Sequence, residues 1–192
     1  MRHNRESCLH RKIVIGIAGM PGAGKATAEE VFRLRGYPIV VMGDEVRAEA
    51  VRRNLKPSSK NLGELMLRIR AEEGPAALAK RCVPKIKCSK GCIVIVDGIR
   101  SPEEVAEFRR NFKDFVLVAI HASPKTRFRR LLKRGRSDDP RDWETFIERD
   151  RRELKVGLGE VIATADYMVI NEDTREDLKR RMERILEEVL KR

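Results

Sequence analysis

The chain has no glutamine, one tryptophan, three histidines and four cysteines among 192 residues. Aromatic residues make up only 5%, too few for the stacking platforms that hold single-stranded nucleic acid. No apolar run approaches the ~18 residues that cross a bilayer, so no transmembrane helix and no membrane partner are expected. The basic stretch Met1 to Lys12 is followed by a short apolar run, Ile13 to Ala18, that does not make a secretory leader. A soluble, cytoplasmic protein is expected. In a reducing compartment Cys8, Cys82, Cys88 and Cys92 are expected to be thiols. Cys88 and Cys92 lack C-x2-C spacing and have no histidine nearby, so no zinc site is expected. Scarce labile amides with abundant charge of both signs point toward a thermophile.

What is abundant is charge. Lys and Arg number 42 against 30 Asp and Glu, a formal net charge of +12, and charged residues make up 38%. A basic surplus attracts polyanions, so nucleic acid is a permitted partner. It is not the favoured one, because acids are interleaved with the bases. The length fits one domain, with residues 12–192 as the folded unit and 1–11 as a mobile N-terminus, and nothing in it decides between a monomer and a homodimer.

Five short apolar runs alternate with helix-compatible stretches. Ile13 to Ala18, Ile39 to Met42, Ile93 to Val96, Phe115 to Ile120 and Tyr167 to Ile170 are continuous, β-branched runs of strand length. Continuous hydrophobicity predicts strands buried on both faces of a parallel sheet. Ser101-Pro102 followed by Glu104, Ser123-Pro124, and Thr174 with Asp177 are helix-start signatures. A helix is expected over Asp44 to Asn54 and another from about Asp142 to Leu154. Residues 55–90 read as a small helical insertion broken at Gly74-Pro75. The alternation predicts an α/β three-layer sandwich around a five-stranded parallel sheet.

The strongest local signal lies between the first strand and the first helix. Gly19, Met20, Pro21, Gly22, Ala23, Gly24 and Lys25 fit G-x-x-x-x-G-K in the strand–loop–helix context that makes it a phosphate-binding loop. The glycines let backbone N–H groups turn inward around phosphate oxygens, and the helix start adds its positive end. Lys25 would reach the β- and γ-phosphates of ATP. Ala26 stands where the pattern has Ser or Thr for magnesium. Thr27 follows and is assigned a contact to Mg2+, partly through water. Asp97, at the end of an Ile/Val strand, is the carboxylate expected to orient the metal.

Asp44 and Arg47 follow the second strand, where ligand crevices open in α/β sheets. Arg47 is the candidate grip on an acceptor phosphate. Asp44 would take a proton from an acceptor hydroxyl or hold a ribose, and Arg70 is a further substrate-binding candidate. Residues 125–155 hold 12 basic and 7 acidic residues. Arg134 and Arg136 flank Gly135, on a lid expected at about 133–141. These two, with Arg149 and Arg127, are the candidates to neutralise the transferring phosphoryl group. His121 and Trp143 are read as structural.

The loop resembles the G-x-P-G-A-G-K-G-T loop of adenylate kinases. Gly43 to Arg47 resembles their G-D-x-x-R segment, whose Arg grips the acceptor nucleotide. Asp97-Gly98-Ile99-Arg100 is similar to their D-G-x-x-R stretch but one residue shorter. That similarity implies Gly98 and Arg100 as acceptor-site residues. Arg136 to Asp139 looks like their R-x-D-D. Ala165 to Asn171 resembles the A-D-x-x-I-x-N near the end of dephospho-CoA kinases. Together these features, over about residues 12–190, resemble an archaeal family of predicted nucleotide kinases related to both.

The resemblance implies a P-loop NTPase kinase-type fold with strand order 2-3-1-4-5. It implies ATP-dependent phosphoryl transfer, with Mg2+, to a small-molecule nucleotide acceptor such as AMP. Dephospho-CoA kinase-like activity is the first alternative. An ATPase or nucleotide switch acting on RNA or a ribonucleoprotein is the second. A nucleotide-binding protein with little turnover is the third, and Ala26 keeps it open.

Overall fold

A computed structural model of the chain describes residues 12–56, 58–136 and 139–191. The N-terminal segment with His3, Cys8 and His10 lies outside these, as do Ser137 and Asp138 of the expected lid.

The elements run β1 (Ile13–Ala18), α1 (Lys25–Leu34), β2 (Ile39–Val41), α2 (Met42–Arg52), α3 (Ser59–Glu73), α4 (Ala77–Cys88), β3 (Ile93–Ile99), α5 (Pro102–Asn111), β4 (Asp114–His121), α6 (Pro124–Arg134), α7 (Trp143–Val156), α8 (Leu158–Ala163), β5 (Tyr167–Ile170) and α9 (Arg175–Leu190). Among the described residues the strands form one sheet, order β2-β3-β1-β4-β5. Every pairing is parallel, as expected.

Period-two alternation splits the strand side chains between two cores. Val14 and Ala18 of β1, with Val94, Val96 and Leu117, meet α2, α4, α5 and α8 on one face. Ile15 and Ile17, with Ile95, Val118 and Ile120, meet α1 and α9 on the other. Because both faces are covered, the strands carry no polar alternation. Phe108 of α5 is fully buried, its ring stacked 5.7 Å from Phe115.

Local signals set the helix starts. Ser101 and Thr174 form the expected capping boxes of α5 and α9. Asp142 caps α7 by accepting from Thr145 N at 2.7 Å. The second strand ends one residue earlier than expected, and α2 follows it without a loop. Residues 59–88 form two helices, and α4 continues through Pro84. The short helix α8 was not foreseen; its six residues add Leu158 and Val161 to the core. Trp143 packs on Phe128 and Phe146 at 5.3 and 5.1 Å. One expectation is corrected: Cys82 and Cys88 are free thiols, but Cys92 is disulfide-bonded. Compartment argues for thiols only on average, and proteins of hyperthermophiles are the known exception.

The register fixes the site. Asp97 lies level with Ile17 of β1 and Val41 of β2, so three strands end around its carboxylate. The β1–β3 register then slips, with Ala18 opposite Ile99. Gly98 is the extra residue, at φ +91°, a bulge that interrupts the pairing just past Asp97 before Ala18 and Ile99 resume it. Among the described residues no helix is long and apolar enough to cross a membrane.

Phe108→Ala should lower unfolding stability by about 3–5 kcal/mol, the cost of a cavity left by a buried aromatic ring. Urea unfolding of the two proteins at equal m-value measures it.

Candidate functional site

The loop between β1 and α1 is shaped by contact. Gly19, Gly22 and Gly24 have φ of +152°, +82° and +108°. A Cβ on them would lie 2.4 Å from the Ile120 carbonyl oxygen, 2.7 Å from the Arg127 carbonyl oxygen and 2.2 Å from Asn171 Nδ2. Only glycine fits these places. Met20 and Ala23 turn into the interior instead. Gly24 caps α1 without a side-chain hydrogen bond, and the first turn has no acidic residue. The positive end of the helix is therefore left for an anion.

Two side chains brace this loop from behind. Arg127 donates from Nη1 to the Pro21 carbonyl at 3.2 Å and from Nε to the Ala122 carbonyl at 3.0 Å. It also makes two bonds to Asp150 of α7, at 2.9 and 2.5 Å. Its guanidinium lies 4.9 Å from the Phe146 ring centroid. Asn171 donates from Nδ2 to the Ala23 carbonyl at 2.7 Å, and its backbone N–H bonds the His121 carbonyl at 2.7 Å. Thus Arg127 acts on the loop from the protein side and does not line the cleft, and His121 enters only through its backbone.

In front of the loop is a cleft of about 800 Å³. Its walls carry ten Lys and Arg side chains against five Asp and Glu, the balance of a polyanion site. Pro21, Gly22, Gly24, Lys25, Ala26 and Thr27 form its floor. Lys25 donates to the Gly19 carbonyl at 2.7 Å. Burial pulls its pKa below the usual lysine value, and nearby Arg100 adds to this, while Asp97 opposes it.

Asp97 lines the same cleft, and its Oδ1 is buried with no hydrogen-bond partner. Beside it is Glu29 of α1, which sequence reasoning missed. Burial, and then the charge of the Asp97 carboxylate, push the Glu29 pKa up to about 7. Only its spacing of four from Lys25 on one helix face marks Glu29 in the sequence.

The acceptor candidates divide. Arg47 and Asp44 both line the cleft and pair at 2.5 Å. Arg100 lines it too, its Nε 2.9 Å from Glu153 of α7. Glu153 is a second residue the sequence did not reveal, and its charge is the first cause of a raised Arg100 pKa. Arg70 turns away, donating to Glu104 and to the Met66 carbonyl, and is not in the cleft wall. Gly98 is absent from the wall as well; its role is the bulge.

Arg134 and Arg136, together with Arg149 of α7, reach the cleft. All three converge on Asp139: Arg134 Nε donates at 2.8 Å, Arg136 N at 3.1 Å, and Arg149 lies at 3.6 Å. Burial raises the Asp139 pKa, but these hydrogen bonds and charges outweigh it and hold the group below the usual range.

Arg127→Ala should leave Asp150 buried without its cation and cost about 3–5 kcal/mol. In a double-mutant cycle with Asp150→Ala, the double variant should lose well under the sum of the two single losses. Additive losses in urea unfolding would mean that the pair does not act as a unit.

The profile of the family described as AAA domain matches residues 18–147. The UPF0200 protein PF1294 of Pyrococcus furiosus is 47% identical over 178 residues, covering 91% of this chain and 96% of that protein. The UPF0200 protein MJ1399 of Methanocaldococcus jannaschii is 48% identical, covering 93% and 91%. Among solved structures, TT1252 from Thermus thermophilus superposes with a TM-score of 0.63 at 21% identity, covering 93% and 98%. Shikimate kinase from Bacteroides thetaiotaomicron does so at 0.59 and 18%, covering 91% and 98%. These two likenesses concern the fold alone. The chain belongs to the UPF0200 family of archaeal proteins and carries an AAA domain.

Proposed function

We propose that this protein transfers the γ-phosphoryl group of ATP to a nucleotide-type acceptor, a nucleoside monophosphate such as AMP. One observation carries the reading. A single cleft holds the phosphate loop with Lys25, the Asp97 carboxylate, and arginines from three further directions: Arg47, Arg100, and the Arg136–Arg149 group. Phosphoryl transfer asks for that set, because its catalysis is mostly positioning and charge neutralisation.

In the proposed reaction an acceptor phosphate oxygen forms a bond to the γ-phosphorus. The bond from that phosphorus to the bridging oxygen breaks, and ADP leaves with the electron pair. Lys25 and the uncapped N–H groups of α1 hold the donor phosphates. Arg47 exchanges Asp44, and Arg100 exchanges Glu153, for the acceptor's phosphate. Arg134, Arg136 and Arg149 face the group in flight and, by closing over it, exclude water.

The buried, partnerless Oδ1 of Asp97 fits a divalent cation. Asp97 would hold magnesium, with Thr27 contributing through water. The cation supplies charge neutralisation on the phosphate oxygens.

A second reading has support of its own. Asp44 opens into the cleft, where it would accept a proton from an acceptor hydroxyl, as dephospho-CoA kinase-like chemistry requires. Incubation with labelled ATP and a panel of monophosphates, dephospho-CoA and RNA separates these readings by the labelled product. Label appearing only as free phosphate, stimulated by RNA, sinks both kinase readings.

Lys25→Ala should abolish transfer and greatly weaken ATP binding, because the phosphates lose a buried cation. Wild-type ATP affinity and turnover in that variant would remove the phosphate loop from the mechanism. Arg47→Ala should raise the acceptor KM far more than the ATP KM, as steady-state kinetics with each substrate varied would report. Equal effects would put Arg47 outside the acceptor site.

A further inference from the structure

Ala26 leaves the site without the hydroxyl that follows the lysine in the usual phosphate-loop pattern. The same helix brings an oxygen donor back one turn later. Glu29 lies three residues beyond Ala26 and four beyond Lys25 on α1. Residues so spaced share a helix face, and helical side chains lean toward the N-terminus, here toward the phosphate loop.

The surroundings of Glu29 are unusual for an acid. Its side chain is only 10% exposed, and it lines the cleft together with Asp97, Lys25 and Thr27. Glu29 and Asp97 face the same cleft from opposite walls, α1 and the end of β3. Asp97 Oδ1 is buried there without a partner. Glu29 pairs with Arg33 at 3.6 Å, and Arg33 is 67% exposed. A pair of that kind contributes little. Two carboxylates lining one cleft beside the phosphate loop, one with a buried oxygen that has no partner, form a site whose repulsion a hard divalent cation relieves.

The donor set also selects among cations. Among the described residues no group of three or more His, Cys, Asp or Glu is arranged to hold a metal by itself. Two carboxylates open toward nucleotide phosphates suit magnesium, which keeps waters and takes one or two carboxylates plus phosphates.

We propose that Glu29 is the second protein carboxylate for the divalent cation, taking over from the hydroxyl that Ala26 lacks. The inference rests on the phosphotransferase reading above and adds a ligand to it. It confines Thr27 to a contact through water and makes the second turn of α1 part of the metal site.

The test uses Mn2+ as a spectroscopic substitute for magnesium. Mn2+ is titrated into the full chain saturated with ADP, and free ion is followed by electron paramagnetic resonance. ADP binding in chelator is measured in parallel by calorimetry. Glu29→Gln and Asp97→Asn should each weaken Mn2+ binding by about 10–100-fold, the range seen when groups fixing a metal are removed. Metal-free ADP affinity should be unchanged in both, and Thr27→Ala should lose less Mn2+ affinity than either.

Wild-type Mn2+ affinity in Glu29→Gln, with Asp97→Asn impaired, overturns the assignment of Glu29 and leaves the phosphotransferase reading standing. A loss in Thr27→Ala as large as that in Glu29→Gln overturns it too, by making the hydroxyl a direct ligand. Failure of the wild-type chain to bind ADP, or to bind Mn2+ with ADP, overturns the phosphotransferase reading itself. If Glu29→Gln does not fold, Glu29→Asp carries the same test. Its shorter reach should weaken Mn2+ binding several-fold, and unchanged affinity overturns the proposal.

Discussion

The phosphate loop is pressed against the end of its own sheet, and the rest of the site is arranged around that contact. Gly19 passes under the Ile120 carbonyl, Gly22 under the Arg127 backbone and Gly24 under the Asn171 amide. At contacts this close a side chain cannot fit, so the loop can lie against its neighbours only as glycine. Arg127 and Asn171 then hold the loop's own carbonyls from the far side. A loop fixed on its outer surface presents preorganised donors on its inner one, which is what a phosphate site needs. The buried pair of Arg127 with Asp150 ties this brace to α7, so α7 supplies both the support behind the loop and, through Arg149 and Glu153, part of the cleft wall.

Sheet register does the remaining alignment. Parallel strands bring their C-terminal ends to one edge, and the crevice opens where the strand order reverses, on either side of β1. Asp97 lies level with the last residues of β1 and β2. The Gly98 bulge breaks the ladder there, just before β3 ends at Ile99, so the carboxylate lies at the C-terminal end of the strand, in the same cleft as Glu29. The D-G-I-R stretch thus divides into four tasks: a cleft carboxylate, a bulge, a core side chain in Ile99, and a cleft cation in Arg100.

Charge is managed by exchange. A cleft with twice as many cations as carboxylates would repel itself without an anion, and each central arginine has an acid at hand: Arg47 has Asp44, Arg100 has Glu153, and Arg134 has Asp139. These pairs hold the guanidinium groups in place at the walls. They differ in burial, since Arg47–Asp44 is largely exposed while Asp139 is almost wholly enclosed. Exposed pairs are weak and trade partners readily, whereas enclosed ones are costly to break. Under the proposed function Arg47 is accordingly the arginine most easily surrendered to an incoming phosphate, while Asp139 is the fixed partner of Arg134 and Arg149.

Much of this was legible in the sequence, because it rests on local rules. Continuous β-branched runs set the five strands and their parallel pairing; Ser-Pro and Thr-x-x-Asp set helix starts; G-x-x-x-x-G-K set the phosphate loop. What the sequence left ambiguous depends on contacts between distant segments. Arg70 and Arg127 look like the other arginines in sequence, yet Glu104 and Asp150 draw them away from the cleft. Glu29 and Glu153 read as ordinary helical acids until folding buries each against a group far along the chain. Residue type and spacing determine which groups a helix can offer, because its geometry is periodic and local. Burial and the choice of partner decide which of those groups face the ligand, and only the packed tertiary structure sets them.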